Sequence, residues 1–171
     1  CQTMYGTWGY DRDALEWKSS DMLVKMLIDT VSKGGNFLLN IGPNPRGEIE
    51  PRAVKRMQAI GAWIRLHKEA IIDCGPSKYP VPKDCRYTQN GKKLYLHVYS
   101  YPFKHIHLPE IADQVRFIRF LHDGSEIFYR GFDPNEVITS TEAVIAPNDL
   151  VVTLPVVPPN VLIPVLEITL K

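Results

Sequence analysis

Excess charge of one sign is missing from this sequence: 20 lysines and arginines stand against 19 aspartates and glutamates, a net charge of +1. That balance removes the electrostatic footprint of a nucleic-acid binder or of a protein held to an anionic membrane. Long apolar runs are missing too. None approaches the roughly 18 residues that a bilayer-spanning helix needs, so neither nucleic acid nor membrane is expected as a partner. Cysteine is scarce, at three in 171 residues. Cys1, Cys74 and Cys85 have the spacing of neither a zinc site nor a disulfide framework. Cys74 and Cys85 bracket a proline-rich stretch and either close a small loop in an oxidising compartment or stay free thiols. There is no phosphate-cradling glycine loop, no dinucleotide fingerprint and no nucleophile elbow. No cofactor and no metal is therefore expected. The chain opens on Cys1 with no basic-then-apolar leader. On composition alone this is either a processed terminus, as in bacterial lipoproteins, or a start inside a larger domain.

What is present is the composition of a folded globular protein, 44% hydrophobic and 23% charged. The length suits one large domain or two small ones. The two halves differ in period. Met22, Leu23, Met26, Leu27, Thr30 and Val31 form a greasy helical face. Ser19 or Ser20 is its N-cap, Asp21 favours its first turn, and Gly34-Gly35 is its stop. The apolar run Asn36–Gly42, bounded by glycines, reads as a strand buried on both faces of a parallel sheet. A loop from Pro43 to Glu50 follows. Pro51 then fits the first turn of a second helix, whose core face reads Val54, Met57, Ile60, Gly61 and Ile64. This is α/β grammar. One strand cannot make a sheet, so the pattern predicts partner strands upstream and favours a start inside a domain.

Proline and glycine dominate the connector through Cys74-Gly75-Pro76 and Pro80-Val81-Pro82. Beyond it the period becomes two. Asn90-Gly91 and Asp123-Gly124 predict hairpins, the first joining Arg86–Gln89 to Lys93–Tyr99 and the second joining Val115–Leu121 to Glu126–Arg130. Leu150–Leu154 and Val161–Leu170 add strands, the last predicted at a sheet edge because of Pro164. The expected organisation is an α/β unit over residues 1–75 followed by an all-β antiparallel sandwich over 76–171.

The chemistry begins at Trp8-Gly9-Tyr10, in an aromatic-rich segment with Tyr5 and Trp17. Exposed aromatic rings stack on the apolar C–H faces of sugars; the competing reading is ordinary core packing. Asn36 and Asn40 flank the apolar strand, whose carboxyl end is where α/β folds place functional groups. They either orient a ligand or satisfy loop backbone. Asp11, Asp13, Glu16, Asp21, Asp29, Glu48 and Glu50 supply carboxylates, but none has a catalytic setting. Asp21 and Asp29 read as helix cap and solvated face, Glu48 and Glu50 as residues welcomed by a helix N-terminus. His105 and His107 share one face of a strand without a third ligand and read as a solvated pair.

Taken in order, Trp8-Gly9-Tyr10, Gly34-Gly35-Asn36, Leu38-Leu39-Asn40-Ile41-Gly42-Pro43, Gly47, Ile60-Gly61, Trp63 and Glu69-Ala70-Ile71 resemble the end of the catalytic domain of the α-L-fucosidases of glycoside hydrolase family 29. The resemblance covers about residues 4–72; the β-rich remainder fits the family by position and pattern only. It implies the terminal piece of a (β/α)8-like barrel followed by a β-sandwich, in an enzyme that removes terminal α-linked L-fucose with retention. It also implies that the nucleophilic Asp and the acid/base Glu lie upstream of Cys1. This chain would then supply no catalytic residue and be inactive alone. By the same resemblance Trp8 packs on the fucose, while Gly9, Tyr10, Asn36 and Asn40 shape the site. The implied partner is a fucosylated glycan, and the implied location is periplasmic, lysosomal or extracellular. Two departures stand out: Asn44-Pro45-Arg46-Gly47 replaces a turn that often carries Thr and Asp, and Asp11 stands where Asn or Arg is common. Two other readings remain. One is a non-catalytic carbohydrate-binding or structural module using Tyr95, Tyr99, Tyr101 and Phe103. The other is an inactive homologue.

Overall fold

A computed structural model describes residues 1–135 and 145–171. The chain opens with the short strand β1 (Gln2–Thr3), then helix α1 (Ser20–Ser32), strand β2 (Leu39–Asn40) and helix α2 (Pro51–His67). The ends of α1 follow from its sequence. Ser19 Oγ accepts from Met22 N at 3.0 Å, as an N-cap should. At the other end Gly34 N and Gly35 N donate to the carbonyls of Val31 and Thr30, both at 2.9 Å. This closing turn needs the positive φ of Gly34. Both helices present the expected face in part, rotated at its margins: Leu23, Val31 and Ile60 are buried as expected, and Met26, Leu27 and Ile64 pack against the same core. Leu23, Val24, Ile28 and Val31 are buried in α1, with Met22 outside. In α2 the buried residues are Ala53, Ile60, Trp63 and His67, while Val54 and Met57 are exposed. Trp63 and His67 outweigh the smaller aliphatics because their large rings reach the neighbouring sheet.

Strands β1 and β2 pair in parallel, Gln2 opposite Leu39 and Thr3 opposite Asn40. The expectation of a strand buried on both faces is corrected here. Leu39 packs on the helices, but Leu38 points the other way and is 64% exposed. Nothing among the described residues covers that side. The loop after β2 is organised by Asn44, whose Oδ1 accepts from Arg46 N at 2.9 Å and Glu48 N at 3.0 Å.

The rest is antiparallel. Strands β3 (Cys85–Asn90), β4 (Lys93–Val98), β6 (Val115–Phe120) and β9 (Val165–Leu170) form one sheet in the order β3-β4-β9-β6. Strands β5 (His105–Leu108), β7 (Tyr129–Gly131) and β8 (Leu150–Thr153) form a second, ordered β5-β8-β7. The Asn90-Gly91 hairpin is present, with Asn90 paired to Lys93. The second hairpin is shorter than expected. Arg119 bridges Glu126 and Ile127 N bonds Ile118 O, then the chain crosses to the other sheet at Tyr129. The edge position expected for the last strand is also wrong. β9 lies between β4 and β6, because Pro164 precedes its first residue and offers only its carbonyl, which accepts from Val98 N at 2.9 Å.

Two apolar clusters hold the chain together. The first lies between the sheets and includes Leu94, Leu96, Leu166 and Ile168 from one and Ile106, Leu108, Leu150 and Val152 from the other. The second joins the helices to the outer face of the four-stranded sheet, where Leu23, Ile28, Ile60 and Trp63 meet Tyr95, Ile163 and Val165. This is why β4, an alternating strand by sequence, is buried on both faces. No helix among the described residues is long and apolar enough to cross a membrane.

Candidate functional site

The sugar-compatible segment lies at the carboxyl end of β2. Gly42 sits so close to the loop that a Cβ there would lie 2.9 Å from both Gly9 C and Tyr10 N. Asn40 Nδ2 donates to the Trp8 carbonyl at 2.6 Å. Tyr5 OH donates to the Gly9 carbonyl at 3.0 Å, and Thr7 Oγ1 donates to the same oxygen at 3.1 Å. Side-chain donors thus fix the backbone of the turn, while Trp8 stays 59% exposed. In the same segment Tyr5, Gly6, Thr7, Asp11, Leu15 and Glu16 line much of a cleft of about 190 Å³, which Trp8 does not line. The segment thus carries an exposed aromatic ring as well as polar groups, the two things a pyranose needs.

The expected site residues are not all brought together. Trp8, Gly9, Tyr10 and Asn40 converge on this turn. Asn36 lies before β2, exposed, and makes no hydrogen bond to the turn among the described residues. The carboxylates are used locally. Asp11 Oδ1 accepts from Asp13 N at 2.9 Å, Asp13 pairs with Arg12 at the surface, and Glu48 Oε2 accepts from Asn44 Nδ2 at 2.9 Å. Asp29, expected to be a solvated helix residue, instead links α1 to β3 through Arg86 Nε at 2.8 Å. Hydrogen bonds from Lys33 and then Arg86 hold its carboxyl below the usual range.

Pattern reading missed the second tier of the turn. Arg52 and Arg56, one helical turn apart on α2, place their guanidinium groups 4.8 and 4.9 Å from the Trp17 ring. Arg52 also bonds the carbonyls of Ala14 and Arg12 and the carboxylate of Glu50, and Arg56 bonds the carbonyl of Lys18. By sequence these arginines resemble any charged outer face of a helix. Only the separation of about forty residues closed by the fold gives them a role.

The aromatics of the β-rich part are mostly taken up. Tyr95 is buried, Tyr99 OH donates to Lys25 O at 3.0 Å, and Tyr101 OH donates to Pro155 O at 2.9 Å. Phe103 alone of that group stands out into solvent. His105 and His107 are both exposed on β5. Cys74 and Cys85 are free thiols, and burial pushes them up to about 11 and about 12. No group of three or more His, Cys, Asp or Glu among the described residues is arranged to hold a metal ion.

The sequence model of the family described as "Alpha-L-fucosidase" matches residues 1–69. The human tissue alpha-L-fucosidase is 36% identical over 94 residues, which cover 52% of this chain and 20% of that protein. The alpha-L-fucosidase of Branchiostoma floridae is 35% identical over 103 residues, 56% of this chain and 22% of that protein. Among solved structures, alpha-L-fucosidase isoenzyme 1 of Paenibacillus thiaminolyticus superposes with a TM-score of 0.86 at 34% identity, over 99% of this chain and 38% of that one. The Thermotoga maritima alpha-fucosidase, at 23% identity and a TM-score of 0.79, covers 98% of this chain and 38% of its own, a likeness of fold. The chain thus spans about a fifth of the length of the curated relatives it matches.

Proposed function

Related to the alpha-L-fucosidases through its first 69 residues, the chain is, we propose, the C-terminal portion of a retaining enzyme that removes terminal α-linked L-fucose from glycans. In this reading residues 1–75 complete a (β/α)8-like barrel and residues 76–171 form the β-sandwich behind it. The parallel pair β1-β2, with helices on one side and the exposed Leu38 on the other, is what a barrel edge awaiting further strands would look like. The two antiparallel sheets around one core support the sandwich.

The observation that carries the reading is the free indole of Trp8, held by Asn40 at the carboxyl end of a parallel strand. Barrel enzymes assemble their sites at that end. Retaining cleavage needs a nucleophilic carboxylate and an acid/base about 5–5.5 Å apart. In this reading both come from preceding parts of the enzyme, and this chain supplies the wall on which the sugar rests. A fucosylated glycan is the partner, met in the periplasm, a lysosome or outside the cell.

Trp8→Ala in the full-length protein tests the assignment. The expected result is a fall in kcat/KM for an aryl α-L-fucoside of at least about tenfold, equivalent to about 1.4 kcal/mol of transition-state binding, with an unchanged melting temperature. An unchanged kcat/KM removes Trp8 from the site.

A further inference from the structure

We propose that Arg52 and Tyr5 are positioning residues for Trp8, acting on the sugar site without touching the sugar. The inference rests on the reading of Trp8 as the sugar-contacting ring. The connection is continuous. Arg52 uses each edge of its guanidinium: Nε faces the Glu50 carboxylate, Nη1 donates to Ala14 O at 2.7 Å, and Nη2 donates to Arg12 O at 3.3 Å. Its plane also lies against Trp17, and Arg56 sits near the same ring while bonding Lys18 O at 2.7 Å. Trp17 is therefore clamped, with its own Nε1 donating to Ala14 O at 3.1 Å. The Trp17 ring packs on Tyr5 with centroids 4.3 Å apart. The hydroxyl of Tyr5 donates to Gly9 O at 3.0 Å and accepts from Asp11 N at 3.3 Å, so it bridges the backbone on both sides of Tyr10.

The effect is to fix the backbone just after Trp8 from one side while Asn40 fixes the Trp8 carbonyl from the other. The indole itself makes none of these bonds. A loop of small and polar residues would otherwise have to be ordered when the sugar binds, and ordering it beforehand removes that cost. A lysine at position 52 has the charge but not the fork that reaches two carbonyls and a carboxylate at once.

A double-mutant cycle in the full-length protein tests this, with Arg52→Met and Tyr5→Phe each made with Trp8 present and in a Trp8→Ala background. The expected result is a fall in kcat/KM on an aryl α-L-fucoside of about tenfold with Trp8 present and less than about twofold without it, the non-additivity of coupled residues. Equal losses in both backgrounds, or no loss with Trp8 present, overturn the proposal. Tyr5→Phe removes one oxygen and keeps the ring, so it carries the cycle if Arg52→Met does not fold. Should Trp8→Ala itself change nothing, the sugar reading fails and the positioning role is read from amide exchange at Asp11, whose N–H donates to the Tyr5 hydroxyl. That exchange is expected to quicken about tenfold in Tyr5→Phe, and unchanged protection there overturns the positioning role on its own.

Discussion

Gly42 is the residue on which the geometry of the turn depends most simply. A methyl at that position meets backbone of Gly9 and Tyr10 rather than a side-chain tip, and backbone cannot step aside without moving Trp8. Gly42→Ala is expected to cost about 1–3 kcal/mol of stability, the range of overpacking, and to lower turnover of the aryl fucoside by a larger factor than Gly75→Ala, where nothing lies within 4 Å and φ is not positive. Thermal melts beside kcat/KM check it; equal effects at the two glycines contradict it. Trp8, Gly9, Tyr10 and Asn40 were legible because their residue types and order carry a family pattern. Tyr5 and Trp17 were visible only as aromatics. Arg52 was not legible at all, since its charge fits a solvated helix face and its partners lie about forty positions away.

At the scale of elements, α2 is fastened to the four-stranded sheet by rings. Trp63 Nε1 donates to Ile163 O at 2.8 Å and stacks on His67 at 4.9 Å. His67 Nδ1 lies 2.9 Å from Trp63 O, so it carries the proton and leaves Nε2 bare and buried. Thr88 gives its hydroxyl proton to Ala70 O at 2.6 Å and accepts from His97 Nε2 at 2.8 Å, which leaves His97 Nδ1 bare as well. Both imidazoles are neutral. Burial holds His67 down at about 4 and His97 at about 3, with His122 and His67 adding repulsion. In the unfolded chain both return to about 6.5, so the unfolded state binds more protons below that value. These two histidines therefore leave stability level between about pH 6.5 and 7.5 and lower it as the pH drops toward 4, by up to about 1.4 kcal/mol per pH unit for each titrating histidine. Urea unfolding followed by tryptophan fluorescence between pH 7.5 and 4.5 checks this. A profile that is flat across the range contradicts it. The helices and the Asn90-Gly91 hairpin were legible because caps and turns are local. The burial of Val24, Ile28, Trp63 and His67 and the central place of β9 were not. They depend on what packs against them, and His67, beside exposed neighbours in sequence, gave no sign of burial.

At the scale of the whole molecule, a balanced charge of +1 suits a neutral sugar better than a polyanion. Exposed apolar side chains lie on both halves, Trp8, Leu15, Leu38 and Met57 on the α/β part and Phe103, Phe128, Phe132 and Val157 on the β-rich part. What sets the first half apart is the parallel pair β1-β2, whose Leu38 side nothing among the described residues covers. From sequence this was readable only as a missing set of strands. The central claim is that this chain forms part of a fucosidase site while the catalytic carboxylates lie elsewhere in the enzyme. Its most direct test is hydrolysis of an aryl α-L-fucoside measured side by side for the full-length protein and for the 171-residue chain alone. The account expects turnover by the full-length protein and none by the isolated chain. Turnover by the isolated chain, or none by the full-length protein, contradicts it.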